Sequence, residues 1–206
     1  MNDTASAGGS GGAGGGAAVS APDQLGVRGS AQEPVAFMQQ VVNLDYKIVT
    51  SPVHRRFDEL MREGRIVGHK CPVCGLVYVP PKGFCPRCAV VTTEEHEVEV
   101  KDTATVTSFT VITPIQYQGQ QEKDEYVLAN LLLDGSDSTI GQQRIEEIPH
   151  NEVRMGMRVK AVWASEEERS AEGGGMRGWG LTNAVKHWVP SGEPDLPREE
   201  YQEHVL

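Results

Sequence analysis

Four cysteines constrain this chain more than any other feature of its sequence. They form two Cys-x-x-Cys pairs, Cys71/Cys74 and Cys85/Cys88. Each pair is expected to make a tight turn, called a knuckle here, in which two thiolates point at one centre and backbone N–H groups hydrogen-bond to the first sulfur. Thiolates from two knuckles together form a closed tetrahedral metal site. The sequence therefore predicts that all four cysteines bind one structural metal ion.

The spacing of the cysteines favours metal over the other uses of such pairs. Two disulfides would need an oxidising compartment, and a thioredoxin-like pair would need a βαβ context. Zinc is the predicted metal, with iron as the alternative, because both accept thiolate ligands. Four thiolates leave no open coordination position, so the metal is expected to be structural. No thiol is then left as a nucleophile, and the sequence assigns no catalytic residue.

The residues that follow the two knuckles allow predictions about the backbone conformation there. Gly75 suits the left-handed backbone expected after the first knuckle, because glycine has no Cβ. Ala89 holds the equivalent position after the second knuckle, where a residue other than glycine costs about 1–2 kcal/mol. The second knuckle is therefore either strained or differently shaped. His69 is interpreted as a surface residue rather than as a group that supports a metal ligand.

A helix is predicted over residues 52–63. Ser51 can act as its N-cap, and Pro52 fits the first helical position. The apolar residues recur at helical spacing on one face: Val53, Phe57, Leu60 and Met61. Gly64 supplies a left-handed residue at the C-terminal end.

Five segments after the cysteines have the β-branched residues or the alternation of strands. They are residues 98–112, 126–135, 138–148, 157–164 and 179–189. Five strands in about 90 residues suggest a small antiparallel barrel, and the OB-fold is a barrel of this size. The predicted fold is therefore mainly β, with an N-terminal helix, a rubredoxin-like zinc ribbon and a five-stranded OB-fold barrel.

The chain divides into five predicted segments. Residues 1–32 form a Gly/Ala/Ser-rich tail, which cannot bury enough apolar area to fold. Residues 33–65 form an extended arm and the helix, and residues 66–92 form the zinc ribbon. The OB-fold occupies residues 93–190, and residues 191–206 form a flexible acidic C-terminus. Two Gly-x-Gly-x-x-Gly matches, at 9–14 and 173–178, are interpreted as low-complexity sequence and a hairpin loop.

The overall charge excludes several classes of partner. The formal net charge is −10, which argues against a dedicated nucleic-acid binder and against docking on an anionic membrane. The sequence has no apolar run of the about 20 residues that a membrane span needs. Its first residues lack the basic and apolar regions of a secretory signal. The expected location is cytoplasmic.

Several of these motifs, in this order, resemble a known family. They are FDELMREGRIVGHKCPVCG (57–75), PPKGFCPRC (80–88), SFTVI (108–112), YVLANLLLDG (126–135) and RMGMRVKAVW (154–163). The family joins a rubredoxin-like zinc ribbon to an OB-fold and is associated with acyl-CoA enzymes. The resemblance extends from Val53 to Val189. The chain departs from the family in Ala89, in its Gly-rich tail and in lacking a fused hydratase domain.

The resemblance implies a helper subunit. Members of the family look like partners of thiolases, of thiolase-like lipid-transfer-protein aldolases or of related acyl-CoA enzymes. The segment LDYKIVTSPVHRRF (44–57) looks most like members from lipid or steroid side-chain degradation. Only Cys71, Cys74, Cys85 and Cys88 carry over, as metal ligands. Acyl-CoA is an implied ligand, but no residue here is matched to it.

Two other functions are weighed against the helper subunit. A single-stranded nucleic-acid-binding protein would also combine an OB-fold with a zinc ribbon, although the negative charge opposes it. An autonomous acyl-CoA enzyme would need a nucleophile or an acid–base pair, which no motif supplies. Five basic residues on or near the ribbon are interpreted as solubilising charge, with contact to CoA phosphates or to an acidic partner as the alternative: Arg55, Arg56, Lys70, Lys82 and Arg87.

Overall fold

A computed structural model of the chain describes residues 49–114, 124–170 and 184–205. The predictions for the N-terminal tail, for the arm before residue 49 and for both glycine motifs lie outside these residues. None of the helices in the described ranges is long and apolar enough to cross a membrane.

The predicted helix is confirmed as α1, Pro52–Arg62. The Ser51 hydroxyl accepts a hydrogen bond from the backbone N–H of His54 at 3.3 Å, which caps the first turn. Gly64 has a φ of 82° and ends the helix in the left-handed conformation that glycine favours. The apolar face is buried through Phe57, Leu60 and Met61, so α1 is held by packing against the rest of the fold.

The ribbon is built on a three-stranded antiparallel sheet within the described residues. Its strands are β1, Ile66–Lys70, β2, Val77–Tyr78, and β3, Glu97–Val100. Their order in the sheet is β2-β1-β3. The sheet therefore extends beyond residue 92, where the sequence predicted the ribbon to end, because β3 returns to pair with β1.

Five further strands of the described chain close into a barrel in the order β4-β5-β6-β8-β7. They are β4, Thr103–Ile112, β5, Tyr126–Leu133, β6, Thr139–Ile145, β7, Arg158–Trp163, and β8, Val185–Pro190. A short helix, α2, Glu166–Ser170, follows β7. Alternate residues of β5 point into the core, as the sequence predicted. The mainly β fold with a helix, a ribbon and a five-stranded barrel is confirmed.

The predicted strand 98–112 is divided between the two sheets. β3 belongs to the ribbon and β4 to the barrel, and they are separated by Lys101 and Asp102. The Asp102 carbonyl accepts from the backbone N–H of Ala161 at 2.9 Å, and its carboxylate accepts from the Trp163 indole at 3.0 Å. These bonds to β7 redirect the chain, although no glycine or proline marks the break in the sequence.

The C-terminal residues 191–205 pack on the barrel, which differs from the flexible acidic C-terminus expected for residues 191–206. They include helix α3, Arg198–Tyr201, and Tyr201 is 5% exposed. The Leu196 N–H donates to the Gly156 carbonyl at 2.8 Å. A Cβ at Gly156 would lie 3.2 Å from the Tyr201 ring. The packing of one aromatic residue on one glycine therefore anchors a segment whose composition predicts disorder.

Candidate metal centre

The two knuckles have matching backbone hydrogen bonds. In the first knuckle, the Cys71 carbonyl accepts from the Gly75 N–H at 3.0 Å. In the second, the Cys85 carbonyl accepts from the Ala89 N–H at 2.8 Å. Each first cysteine also donates its own N–H to the residue five positions later, at 2.8 Å in both knuckles. The two Cys-x-x-Cys pairs therefore form the same turn twice.

The left-handed residue predicted after each knuckle is present in both. Gly75 has a φ of 77° and Ala89 a φ of 55°. Of the two alternatives that the sequence left open, the second knuckle thus keeps its shape at the expense of strain at Ala89.

The four cysteine sulfurs form a compact cluster. All four Sγ atoms lie within 4.8 Å of one another, and those of Cys74 and Cys85 are 3.7 Å apart. Zinc–sulfur bonds of about 2.3 Å in a tetrahedron place the sulfurs about 3.8 Å apart. Cys71 and Cys85 are buried, whereas Cys74 and Cys88 are half-buried. The donor set and its spacing therefore fit one zinc ion, and the four residues stand together as the sequence predicted.

Backbone groups prepare the first sulfur of each knuckle for a negative charge. The Cys71 Sγ accepts from the N–H groups of Val73 at 3.4 Å and Cys74 at 3.5 Å. The Cys88 N–H donates to the Cys85 Sγ at 3.4 Å. These three bonds orient positive dipoles at the cluster, as a thiolate ligand requires.

The thiol pKa values differ within the cluster. Burial opposes ionisation of Cys71, but the N–H groups of Cys74 and Val73 outweigh it and lower its pKa to about 6. Hydrogen bonding to Cys74 and burial raise the pKa of Cys88 to about 12. Thiols at this spacing cannot all ionise near neutral pH without a positive charge between them. A bound cation supplies that charge, which is a second reason why the cluster suits a metal.

The prediction that His69 is a surface residue is wrong. His69 is 4% exposed, and its Nδ1 lies 3.0 Å from the Thr92 hydroxyl oxygen. Burial lowers its pKa. The strand β1 is buried at four consecutive positions, so its sequence lacks the alternation that would have placed His69 on the inner side. The residue is not part of the sulfur cluster.

Two of the five basic residues on or near the ribbon have structural partners, and so do two tryptophans of the barrel. Arg56 pairs with Glu97 at 3.2 Å, and the Lys82 ammonium lies 5.8 Å from the centre of the Tyr78 ring. Trp188 is fully buried and donates to the Gln143 side chain at 3.2 Å. Trp163, the residue bonded to Asp102, lies on β7 at the junction of ribbon and barrel. These contacts agree with packing and surface roles.

A groove between α1 and the ribbon was not predicted from the sequence. It has a volume of about 340 Å³, and His69 is among the residues that line it. The lining comes from several segments between Pro52 and Glu97. No local motif joins these segments, so only the folded chain shows the groove.

Both halves of the fold match known protein domains. Residues 59–91 match the family model described as the ChsH2 rubredoxin-like zinc ribbon domain. Residues 97–164 match the ChsH2 C-terminal OB-fold domain. A curated relative, the DUF35 domain-containing scaffold protein of Methanocaldococcus jannaschii, is 26% identical over 134 residues. The match covers 64% of this chain and 91% of the relative.

Two solved structures resemble the chain. One is a DUF35-family protein of unknown function from Sulfolobus solfataricus, with 25% identity and a TM-score of 0.46. The match covers 55% of this chain and 79% of the Sulfolobus solfataricus protein. The other is described as the Ltp2-ChsH2(DUF35) aldolase, with 18% identity and a TM-score of 0.49, covering 70% of this chain and 99% of that one.

Proposed function

We propose that this chain, which carries the zinc ribbon and the OB-fold domain of the ChsH2 type, is a non-catalytic, zinc-containing partner subunit of a thiolase-like acyl-CoA enzyme. The observation that carries the proposal is the match of both domains, in order, to one kind of protein. A relative named as a scaffold protein supports the same role.

The chemistry of the chain supports an accessory role. All four cysteines lie in one cluster that can hold a metal, so the chain retains no thiol for acyl transfer. Four thiolate ligands leave the metal no position for substrate. The metal instead fixes the ribbon, which is too small to form a core of its own. Activity therefore resides in the partner.

The partner is a thiolase or a retro-aldol lyase that acts on acyl-CoA in lipid or steroid side-chain degradation. In this proposal the chain supports the assembly and activity of that enzyme and its binding of acyl-CoA, in the cytoplasm. The basis for this finer statement is the sequence resemblance of residues 53–189 to partners of such enzymes.

Native mass spectrometry of the tagged chain, recovered from its own cells, tests the proposal. The expected result is a complex with a thiolase-like chain and one zinc ion per copy of this subunit. Adding this subunit to the purified enzyme should then raise its acyl-CoA turnover. Recovery of the chain alone, or bound to single-stranded nucleic acid, would contradict the proposal and favour the nucleic-acid-binding alternative.

A further inference from the structure

The groove between α1 and the ribbon has the dimensions of a binding site. Its volume of about 340 Å³ lies within the range of about 300–1,000 Å³ typical of ligand sites. Its lining includes Val53 and Phe57 of α1 and Val67 of β1. Phe57 and Val67 are each at most 2% exposed. We call this feature the α1–ribbon groove.

One buried polar side chain lines this apolar groove. His69 uses Nδ1 for the contact with Thr92, and its Nε2 has no hydrogen-bond partner among the described residues. His69 lines the groove, and its Nε2 is not among the fully buried side-chain atoms that lack a partner, so this nitrogen is accessible to a ligand there. A ligand that carries a hydroxyl would complement Nε2 in either tautomer of His69, because a hydroxyl both donates and accepts.

The charges of the groove select against anions. Arg56 is already paired with Glu97 at 3.2 Å, and Glu94 adds a further carboxylate to the lining. A phosphate or a carboxylate would therefore meet net negative charge. The occupant that fits is neutral and largely apolar.

The rim of the groove is exposed and apolar. Val91 lines the groove and is 71% exposed. Phe84 pairs with Val91 across an isolated β-bridge and is 49% exposed. Exposed apolar residues beside a pocket are typical of protein–protein contacts.

We propose that the α1–ribbon groove receives a tyrosine side chain of the partner enzyme. This inference rests on the proposed function, because it names the surface through which the subunit docks. The ring fills the apolar groove, and the hydroxyl hydrogen-bonds to His69 Nε2. Tyrosine is also among the residues that contribute most to binding at interfaces, where it fills desolvated pockets.

Two matched valine variants test the docking surface. Val91→Glu places a carboxylate at the rim, whereas Val49→Glu places one on the chain before α1, at a residue that lines neither the groove nor the metal centre. The two valines are 71% and 97% exposed, so neither variant is expected to disturb folding. Isothermal titration calorimetry with the purified partner enzyme should show Val91→Glu weakening the complex by about tenfold or more. The Kd of Val49→Glu should stay within about threefold of the unchanged protein, as expected outside a hot spot.

The outcomes separate this inference from the proposed function. If the unchanged protein binds the enzyme and Val91→Glu binds equally well, or if both variants weaken binding alike, the groove is not the docking site and the partner role stands. If the unchanged protein binds no enzyme, both proposals fail. Metal content and thermal unfolding of the two variants should match those of the unchanged protein, which excludes misfolding as the cause.

A small-molecule probe tests the choice of tyrosine without any partner. 4-Methylphenol is the small-molecule analogue of the tyrosine side chain. Toluene differs from it only in lacking the hydroxyl group. Methyl NMR of the full chain should show saturable shifts at Val53 and Val67 with 4-methylphenol, and weaker binding of toluene. No binding of 4-methylphenol would overturn the tyrosine assignment, and equal binding of the two would overturn the role of His69.

Discussion

Ala89 adopts in the second knuckle the left-handed conformation that Gly75 adopts in the first, with φ values of 55° and 77°. Both residues donate their N–H to the first cysteine of their own pair. The backbone of this turn is thus set by the two cysteines and their hydrogen bonds, whereas the energy needed to hold it depends on the residue.

This equivalence predicts opposite effects of exchanging the two residue types. Ala89→Gly should stabilise the zinc-bound protein by about 0.5–1 kcal/mol, because relief of the left-handed strain exceeds the added entropy of the unfolded chain. Gly75→Ala should destabilise it by about 1 kcal/mol, through conformation alone, since a Cβ at Gly75 would contact nothing within 4 Å. Denaturant unfolding measures both, and an equal response of the two variants would contradict the strain at Ala89.

Replacing a cysteine should release the metal. Cys71→Ser and Cys88→Ser each leave three thiolates, and elemental analysis is expected to find less than one zinc per chain in both. The unchanged protein should hold one. If both variants keep their full zinc content, the ligand assignment is wrong. Cobalt substitution gives a second measurement, because tetrahedral thiolate ligation of cobalt has a characteristic visible spectrum that each variant should lose.

The ion pair between Asp134 and Arg158 should make stability depend on pH. Burial would raise the pKa of Asp134, but hydrogen bonds from Arg158 and Thr103 lower it below its usual value. A carboxyl with a lowered folded-state pKa stabilises the fold above its unfolded pKa, which is about 4. That stability is lost as the pH falls through the folded-state pKa.

Asp134→Asn should therefore destabilise the protein at pH 7 by about 1–3 kcal/mol, because it leaves the Arg158 charge uncompensated. The Arg158 side chain is only 10% exposed. Between about pH 5 and pH 2, the stability of the variant should also fall less steeply than that of the unchanged protein, because the substituted side chain has no carboxylate to protonate. Asp195→Asn is the control, because its pair with Arg154 is exposed and should contribute less to stability than the pair of Asp134 with Arg158. Equal effects of the two variants would show that burial of the pair is unimportant.

The C-terminal segment should contribute to stability. Tyr201→Ala is expected to lower the free energy of unfolding by about 3 kcal/mol, as for other buried aromatic residues, since Tyr201 is 5% exposed. Glu200→Ala, at the exposed neighbouring position, should change it by less than about 0.5 kcal/mol. A flexible C-terminus would give two equal and small changes, so chemical denaturation of both variants decides the point.

The sequence predicts most where a local pattern determines the structure. The cysteine spacing places the knuckles, Ser51 and Gly64 delimit α1, and the alternation in β5 identifies its buried face. It fails where distant contacts decide. The break at Asp102 depends on bonds to β7, and the burial of His69 depends on α1 and Thr92. Tyr201 is buried because Gly156 leaves room for its ring, and no pattern near residue 201 records that space.

The ribbon and the barrel are also joined by hydrogen bonds across β2. The Val77 N–H donates to the Asp137 carboxylate at 2.8 Å, and the Val79 N–H donates to the Ser138 hydroxyl at 2.9 Å. The ribbon and the barrel are therefore connected at two places. One is the two-residue link between β3 and β4, and the other is this pair of hydrogen bonds from β2 and Val79. Calorimetry of the zinc-bound protein should therefore give a single heat-absorption peak, and a chelator should shift all of it. A metal ion bound in the ribbon is thus expected to set the melting temperature of the barrel as well.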